Sequence, residues 1–194
     1  MTDRFSIYIL AEDKRHQSFL RRFLKRAGIG EREMIFAPIS DGRGSGKQRV
    51  INQFADQVRL CRRRNSRALT SLIAMMDADE FSVDQCLNQL NERLSESGQN
   101  RVDSRVDRIA REIPKWNIET WILFLVSSEG DRSEITEAKN LKDQKSKQEW
   151  EDLTPRAAEI FWEWHVSPAG RPARVLESIT RSLRELPSAV SDGR

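Results

Sequence analysis

Residues 72–79, Leu-Ile-Ala-Met-Met-Asp-Ala-Asp, constrain the fold of this chain more than any other stretch. The apolar run does not alternate, so it reads as a strand buried on both faces, and a strand of that kind belongs to a sheet with helices on either side. The run ends at Met76, and its carboxyl end carries Asp77 and Asp79. In an open α/β sheet that end of a strand is where ligands bind. Two acids there are costly unless something neutralises them, and a divalent cation does so well. The competing reading makes an Asp the N-cap of the next helix, with a second acid in its first turn.

The flanking pattern supports a layered α/β fold. Residues 5–10 read as a first strand, followed by Glu12 and then by apolar positions Phe19, Leu20, Phe23, Leu24 and Ala27 at helical spacing. Gly28 and Gly30 end that helix. Residues 33–39 read as a second, short strand, and Pro38 places it near a sheet edge. Val50, Ile51, Phe54, Val58 and Cys61 mark a second amphipathic helix over 48–64. The third strand spans 68–76. Val83, Leu87, Leu90 and Leu94 mark a third helix, and residues 106–113 a fourth strand. The order β-α-β-α-β-α-β implies a doubly wound, largely parallel four-stranded sheet with helices on both faces. Glu12 then meets Asp77 and Asp79 if the first and third strands are neighbours.

Beyond residue 113 the chain turns helical. Asn117 is placed to cap a buried helix whose first turn holds Glu119. Glu119 there either answers the helix dipole or adds an acid to the same site. Residues 127–154 are polar and lysine-rich and read as an excursion. Pro155 is expected to open a further helix carrying Phe161, Trp162, Trp164 and His165. Val175, Leu176, Ile179, Leu183 and Leu186 mark a last amphipathic helix. Residues 1–126 are thus expected to form the α/β domain, and 127–194 the excursion and C-terminal helices packed on it. Trp162, Trp164 and the last helix are the surface on which a partner contact is expected, with a core role expected for one of the two tryptophans.

Composition narrows the function classes. Charged residues make up 32% of the chain and hydrophobic ones 38%, and no apolar run reaches membrane-spanning length. Cys61 and Cys86 lack metal-type spacing and read as reduced thiols, which points to the cytoplasm. The net charge of +3 does not by itself indicate a nucleic-acid partner, but arginines cluster at 59–67 and basic residues at 14–26. The glycine-rich segment 40–47 is not a phosphate-binding P-loop, since Asp41 stands where that motif needs Gly and Gln48 where it needs Ser or Thr. Arg15, Arg43 and Lys47 remain the candidates for contacting an anionic nucleic-acid backbone.

Glu12 after strand one, an Asp-Gly loop after strand two (Asp41-Gly42) and Asp77-Ala78-Asp79 after strand three resemble the Toprim domain over about residues 5–113. The later segment Ile113-Pro114, Ile118-Glu119 and Trp121 resembles small Toprim-like proteins that accompany ATPases. These are related to the overcoming-lysogenisation-defect nucleases and to RloB-type proteins, many of them in anti-phage systems. The resemblance implies Mg²⁺- or Mn²⁺-dependent hydrolysis of phosphodiester bonds in DNA or RNA. It implies Asp77 and Asp79 as metal ligands, Glu12 as a further ligand or general acid/base, and Glu119 as an acid for a second metal. A separate ATPase subunit and self-association are the partners it suggests. The chain departs from the family at Asp13, where Gly is usual, and at His16, where an acid is common. His16 lies one helical turn from Glu12 and so faces the site, as a ligand favouring Mn²⁺, as a proton carrier, or as a sign that the second metal site is lost. These departures also motivate an alternative, a non-catalytic adaptor that binds an ATPase or a nucleic acid.

Overall fold

The computed structural model describes residues 5–39, 45–65, 69–103, 106–137, 141–186 and 190. Among these residues four strands, β1 (Ser6–Ala11), β2 (Met34–Phe36), β3 (Thr70–Met75) and β4 (Ile109–Glu112), form one sheet in the order β2-β1-β3-β4. All three pairings are parallel. The helices are α1 (Lys14–Arg26), α2 (Gly46–Asn65), α3 (Val83–Glu96), α4 (Ile118–Val126), α5 (Glu129–Arg132), α6 (Lys147–Val166) and α7 (Glu177–Glu185). None of them is long and apolar enough to cross a membrane.

Strand residues divide between the two faces as the pleat requires. Ile7, Ile9, Ala11, Ile73, Met75 and Ala110 join a core with α1, α4, α6 and α7, whereas Leu10, Leu72, Ala74 and Ile109 join a second core with α2 and α3. The chain steps one way along the sheet from β1 to β2 and the other way from β2 to β3 and β4. Right-handed crossovers then require α1 on one face and α2 and α3 on the other, as observed. The sheet is therefore doubly wound, with its reversal between β1 and β3. All six residues of β3 are buried, which explains its unbroken apolar run. β2 lies at an edge, where Pro38 can follow it without interrupting a ladder.

Local signals account for several boundaries. Gly28 ends α1 in the left-handed region (φ 84°), with Ile29 N–H donating to Leu24 O and Gly28 N–H to Lys25 O. These are the two bonds of a Schellman cap, which Gly adopts without steric cost. β4 starts at Ile109 and not at Val106, because Val106 is 79% exposed and contributes nothing to the core.

The largest correction concerns residues 127–155. Pro155 does not open a helix; it lies inside α6, which starts at Lys147. Ser146 caps it, accepting from Glu149 N–H while the Glu149 carboxylate accepts from Ser146 N–H. The early start buries Trp150. That burial offsets the one backbone bond the proline removes. Ile135 and Leu141 are also buried, so the excursion is anchored to the core that α6 covers. Phe161 on α6 stacks on Trp121 of α4 with centroids 5.5 Å apart, and lies 5.5 Å from Phe19 and from Phe23 of α1. Trp164 is buried beside Phe124, which removes it from the surface proposed for a partner.

Candidate metal centre

Three side chains from two strand ends converge. Glu12 follows β1 directly, and Asp77 lies two residues beyond β3. Because β1 and β3 pair in register, Ala11 opposite Met75, both acids reach the same carboxyl edge. Asp77 N–H donates to Glu12 Oε2 at 2.9 Å, so they meet as the sequence required. His16, in the first turn of α1, is wholly buried and places Nε2 2.9 Å from Asp77 Oδ1. Ligand atoms of Glu12, His16 and Asp77 all lie within 4.8 Å of one another, and this triad can hold a metal ion.

Asp13 organises the triad from behind. Its Oδ1 accepts from the backbone N–H groups of Arg15 and His16, at 2.8 and 3.0 Å, and so caps α1. The same oxygen lies 2.8 Å from His16 Nδ1. When the ring is neutral and Nδ1–H is donated to Asp13, Nε2 presents its lone pair on the side of Asp77 and Glu12. A carboxylate behind a ligating histidine fixes ring orientation and tautomer in this way. The two departures from the resembled pattern, Asp13 and His16, are thus one hydrogen-bonded unit. Sequence reasoning missed this role for Asp13, although its i, i+3 spacing to His16 at a helix start was the available signal.

The electrostatics are those of buried acids around a histidine. Burial pushes the Asp77 carboxyl up, and the charge and hydrogen bond of His16 oppose that push. Burial and then the Asp77 charge raise Glu12. Burial also pushes Asp13 up, but hydrogen bonds to His16 and its charge together hold Asp13 well below the usual carboxylate range. His16 loses solvation, yet Asp77 and Asp13 on either side of the ring raise it well above its ordinary value. Without a metal, an imidazolium supplies the positive charge that the acids need.

The other expected site residues lie around this triad. Asp79 takes a left-handed backbone (φ 54°) and donates its N–H to Trp116 O, and its side chain is 55% exposed. Its Oδ2 lies 3.3 Å from Lys47 Nζ. The capping alternative for these acids fails, since Ser82 caps α3 in a capping box with Gln85. Glu119 is buried in the first turn of α4, whose cap is Asn117, and forms an ion pair with Arg15. Neither Asp79 nor Glu119 belongs to the triad.

Lys47 and Arg15, expected on a nucleic-acid surface, face inward. Lys47 is buried and donates to Ala78 O at 2.7 Å. Arg15 is committed to Glu119. Arg43 and the Asp41-Gly42 loop lie outside the described residues. Of the arginine cluster on α2, Arg62 pairs with Asp107 and Arg59 with Asp56.

The first turn of α2 bolts the strand ends together, which sequence reasoning also missed. Lys47 holds the segment after β3. Arg49 donates to Ala11 O, to Glu12 O at 3.3 Å and to Pro38 O at 3.0 Å, and so ties the ends of β1 and β2. Gly46 packs directly on Glu12, and a Cβ there would lie 2.4 Å from the Glu12 carbonyl oxygen. The glycine-rich composition of 42–46 was the only signal for this close approach. No protein-family model, no curated protein and no solved structure matches this chain.

Proposed function

We propose that this chain is a Toprim-like, metal-dependent phosphodiesterase acting on DNA or RNA. One observation carries the reading: Glu12, His16 and Asp77 bring two carboxylate donors and one imidazole donor within 4.8 Å of one another. They do so at the sheet reversal, outside the carboxyl ends of β1 and β3, where doubly wound folds bind ligands. The donor set fits a divalent ion. Its nitrogen ligand suits Mn²⁺ better than Mg²⁺, which takes oxygen ligands almost alone.

A divalent ion held there would stabilise negative charge developing on a phosphoryl oxygen. Asp77 and His16 hold their places through β3 and through Asp13. Glu12, whose carboxyl is raised by burial, could accept a proton as well as ligate. An ATPase partner and a role in anti-phage defence follow from the resemblance alone. The test is nicking of plasmid or cleavage of RNA with Mn²⁺, compared with Asp77→Asn and Glu12→Gln. Loss of cleavage in both variants is expected, and cleavage unchanged by either removes the assignment.

A second reading is favoured by the closed Asp13–His16–Asp77 network, in which the two ring nitrogens lie 2.8 and 2.9 Å from carboxylate oxygens. On that reading the triad is a structural ion network in a non-catalytic adaptor. Calorimetry with Mn²⁺ separates the two: no binding at millimolar metal favours the adaptor.

A further inference from the structure

We infer that this chain takes one divalent cation and not two, because the guanidinium of Arg15 already serves as the cation of Glu119. The inference rests on the metal reading above and adds how many ions the site holds and which residue stands in for another. Among the described residues five carboxylates lie around the site, from Glu12, Asp13, Asp77, Asp79 and Glu119; Asp79 pairs with Lys47, and Arg15 and His16 contact the others directly. As a metal ligand His16 is neutral, and its Nδ1–H goes to Asp13. Asp13 is half exposed and also takes two backbone N–H groups, so water and the start of α1 stabilise its charge. Glu12 and Asp77 then keep two negative charges, and one divalent ion neutralises them.

Glu119 does not enter that sum. Its side chain is 2% exposed, and that of Arg15, on the facing first turn of α1, is 16% exposed. A guanidinium cannot be deprotonated in a protein, so Arg15 is a permanent cation at this position. A second ion on Glu119 would have to displace it, leaving a part-buried guanidinium without its carboxylate. Breaking a buried pair by removing one partner is strongly unfavourable. Arg15 Nε is buried and has no hydrogen-bond partner among the described residues, so Glu119 is the acceptor that holds this guanidinium. Arg15 is therefore a positioning residue that keeps Glu119 out of the metal's coordination.

The experiment is a Mn²⁺ titration of the full chain by calorimetry, with electron paramagnetic resonance of the bound ion. One ion per chain is expected, with the spectrum of an isolated Mn²⁺. Glu119→Gln should leave the stoichiometry at one and the Kd within about threefold of wild type. The double variant Arg15→Met/Glu119→Gln removes the pair together, leaves no buried charge unpaired and should also bind one ion. Arg15→Met alone frees the Glu119 carboxylate and should admit a second, weaker ion, which Arg15→Lys prevents. Two ions in the wild type, or a spin-coupled pair, overturn this inference and leave the metal reading standing. Loss of all binding in Glu119→Gln, with circular dichroism and melting unchanged, also overturns it, since Glu119 would then be a ligand. A folded wild type that binds no Mn²⁺ overturns the metal reading and this inference with it.

Discussion

His16 Nδ1 lies 2.8 Å from Asp13 Oδ1, and the other ring nitrogen lies 2.9 Å from Asp77. Asp13 therefore acts on the metal centre through the histidine without joining the triad. Asp13→Asn keeps the helix cap, since Asn caps as well as Asp does. It removes the charge behind the ring, so Mn²⁺ affinity should fall about 10- to 100-fold, and the metal-free protein should melt lower, because the Asp13 charge paired with His16 contributes stability. Calorimetry and a thermal melt on the same preparation check both halves.

Metal binding should release protons. His16 is held well above its ordinary value by Asp77 and Asp13, and Asp77 is raised by burial. Ligands must be deprotonated to bind, so the ion competes with those protons. Apparent Mn²⁺ affinity should rise with pH, about tenfold per proton displaced for each pH unit below the folded values. Titrations between pH 6 and 8, in buffers of differing ionisation enthalpy, measure the number released. A Kd that does not change across this range would mean that His16 is not a ligand.

Gly46→Ala should damage the site through Glu12. The added Cβ would meet the Glu12 carbonyl oxygen at 2.4 Å and its Cγ at 2.8 Å, and the first of these is backbone. Either α2 or the end of β1 must move. Overpacking of this kind costs about 1–3 kcal/mol, read as a lower urea midpoint, and the shift of Glu12 should weaken Mn²⁺ binding as well.

Glu112 makes stability fall as pH rises. It is 1% exposed on β4, and burial pushes it up to about 8. The neighbouring Glu185 adds to that push, against Ser182 and Arg111. The folded value exceeds the ordinary 4.5, so the folded state holds a proton that the unfolded chain releases. Stability is full below about pH 4.5 and declines until the folded group itself titrates near 8. Glu112→Gln should stabilise the protein at pH 7 by up to about 3 kcal/mol and flatten this decline. Urea denaturation at pH 5 and pH 8 tests it; an equal effect at both would show that the group is not neutral in the fold.

Much of the architecture was legible in the sequence because periodicity and end signals act locally. The unbroken apolar run at 72–76, the helical spacing of Phe19 to Leu24 and the cap at Asn117 each reported a real element. So did the meeting of Glu12 with Asp77, since two adjacent parallel strands leave their following residues at one edge. The start of α6 was misread because a proline looks like a helix opening from its neighbours alone. Only the packing of Trp150 and Phe161 showed that the helix runs through it.

The charges could not be assigned from the chain alone. An Arg or Lys in a basic cluster reads the same whether it faces water or a buried acid. Tertiary structure turned Arg15 towards Glu119 and Lys47 towards Ala78 and Asp79, and drew His16 between two carboxylates. The sequence by itself determined which acids end up at the carboxyl edge of the sheet. Which cation each acid meets was decided by the fold, because, apart from the local Asp13–His16 pair, that choice depends on contacts between residues 32 to 104 positions apart.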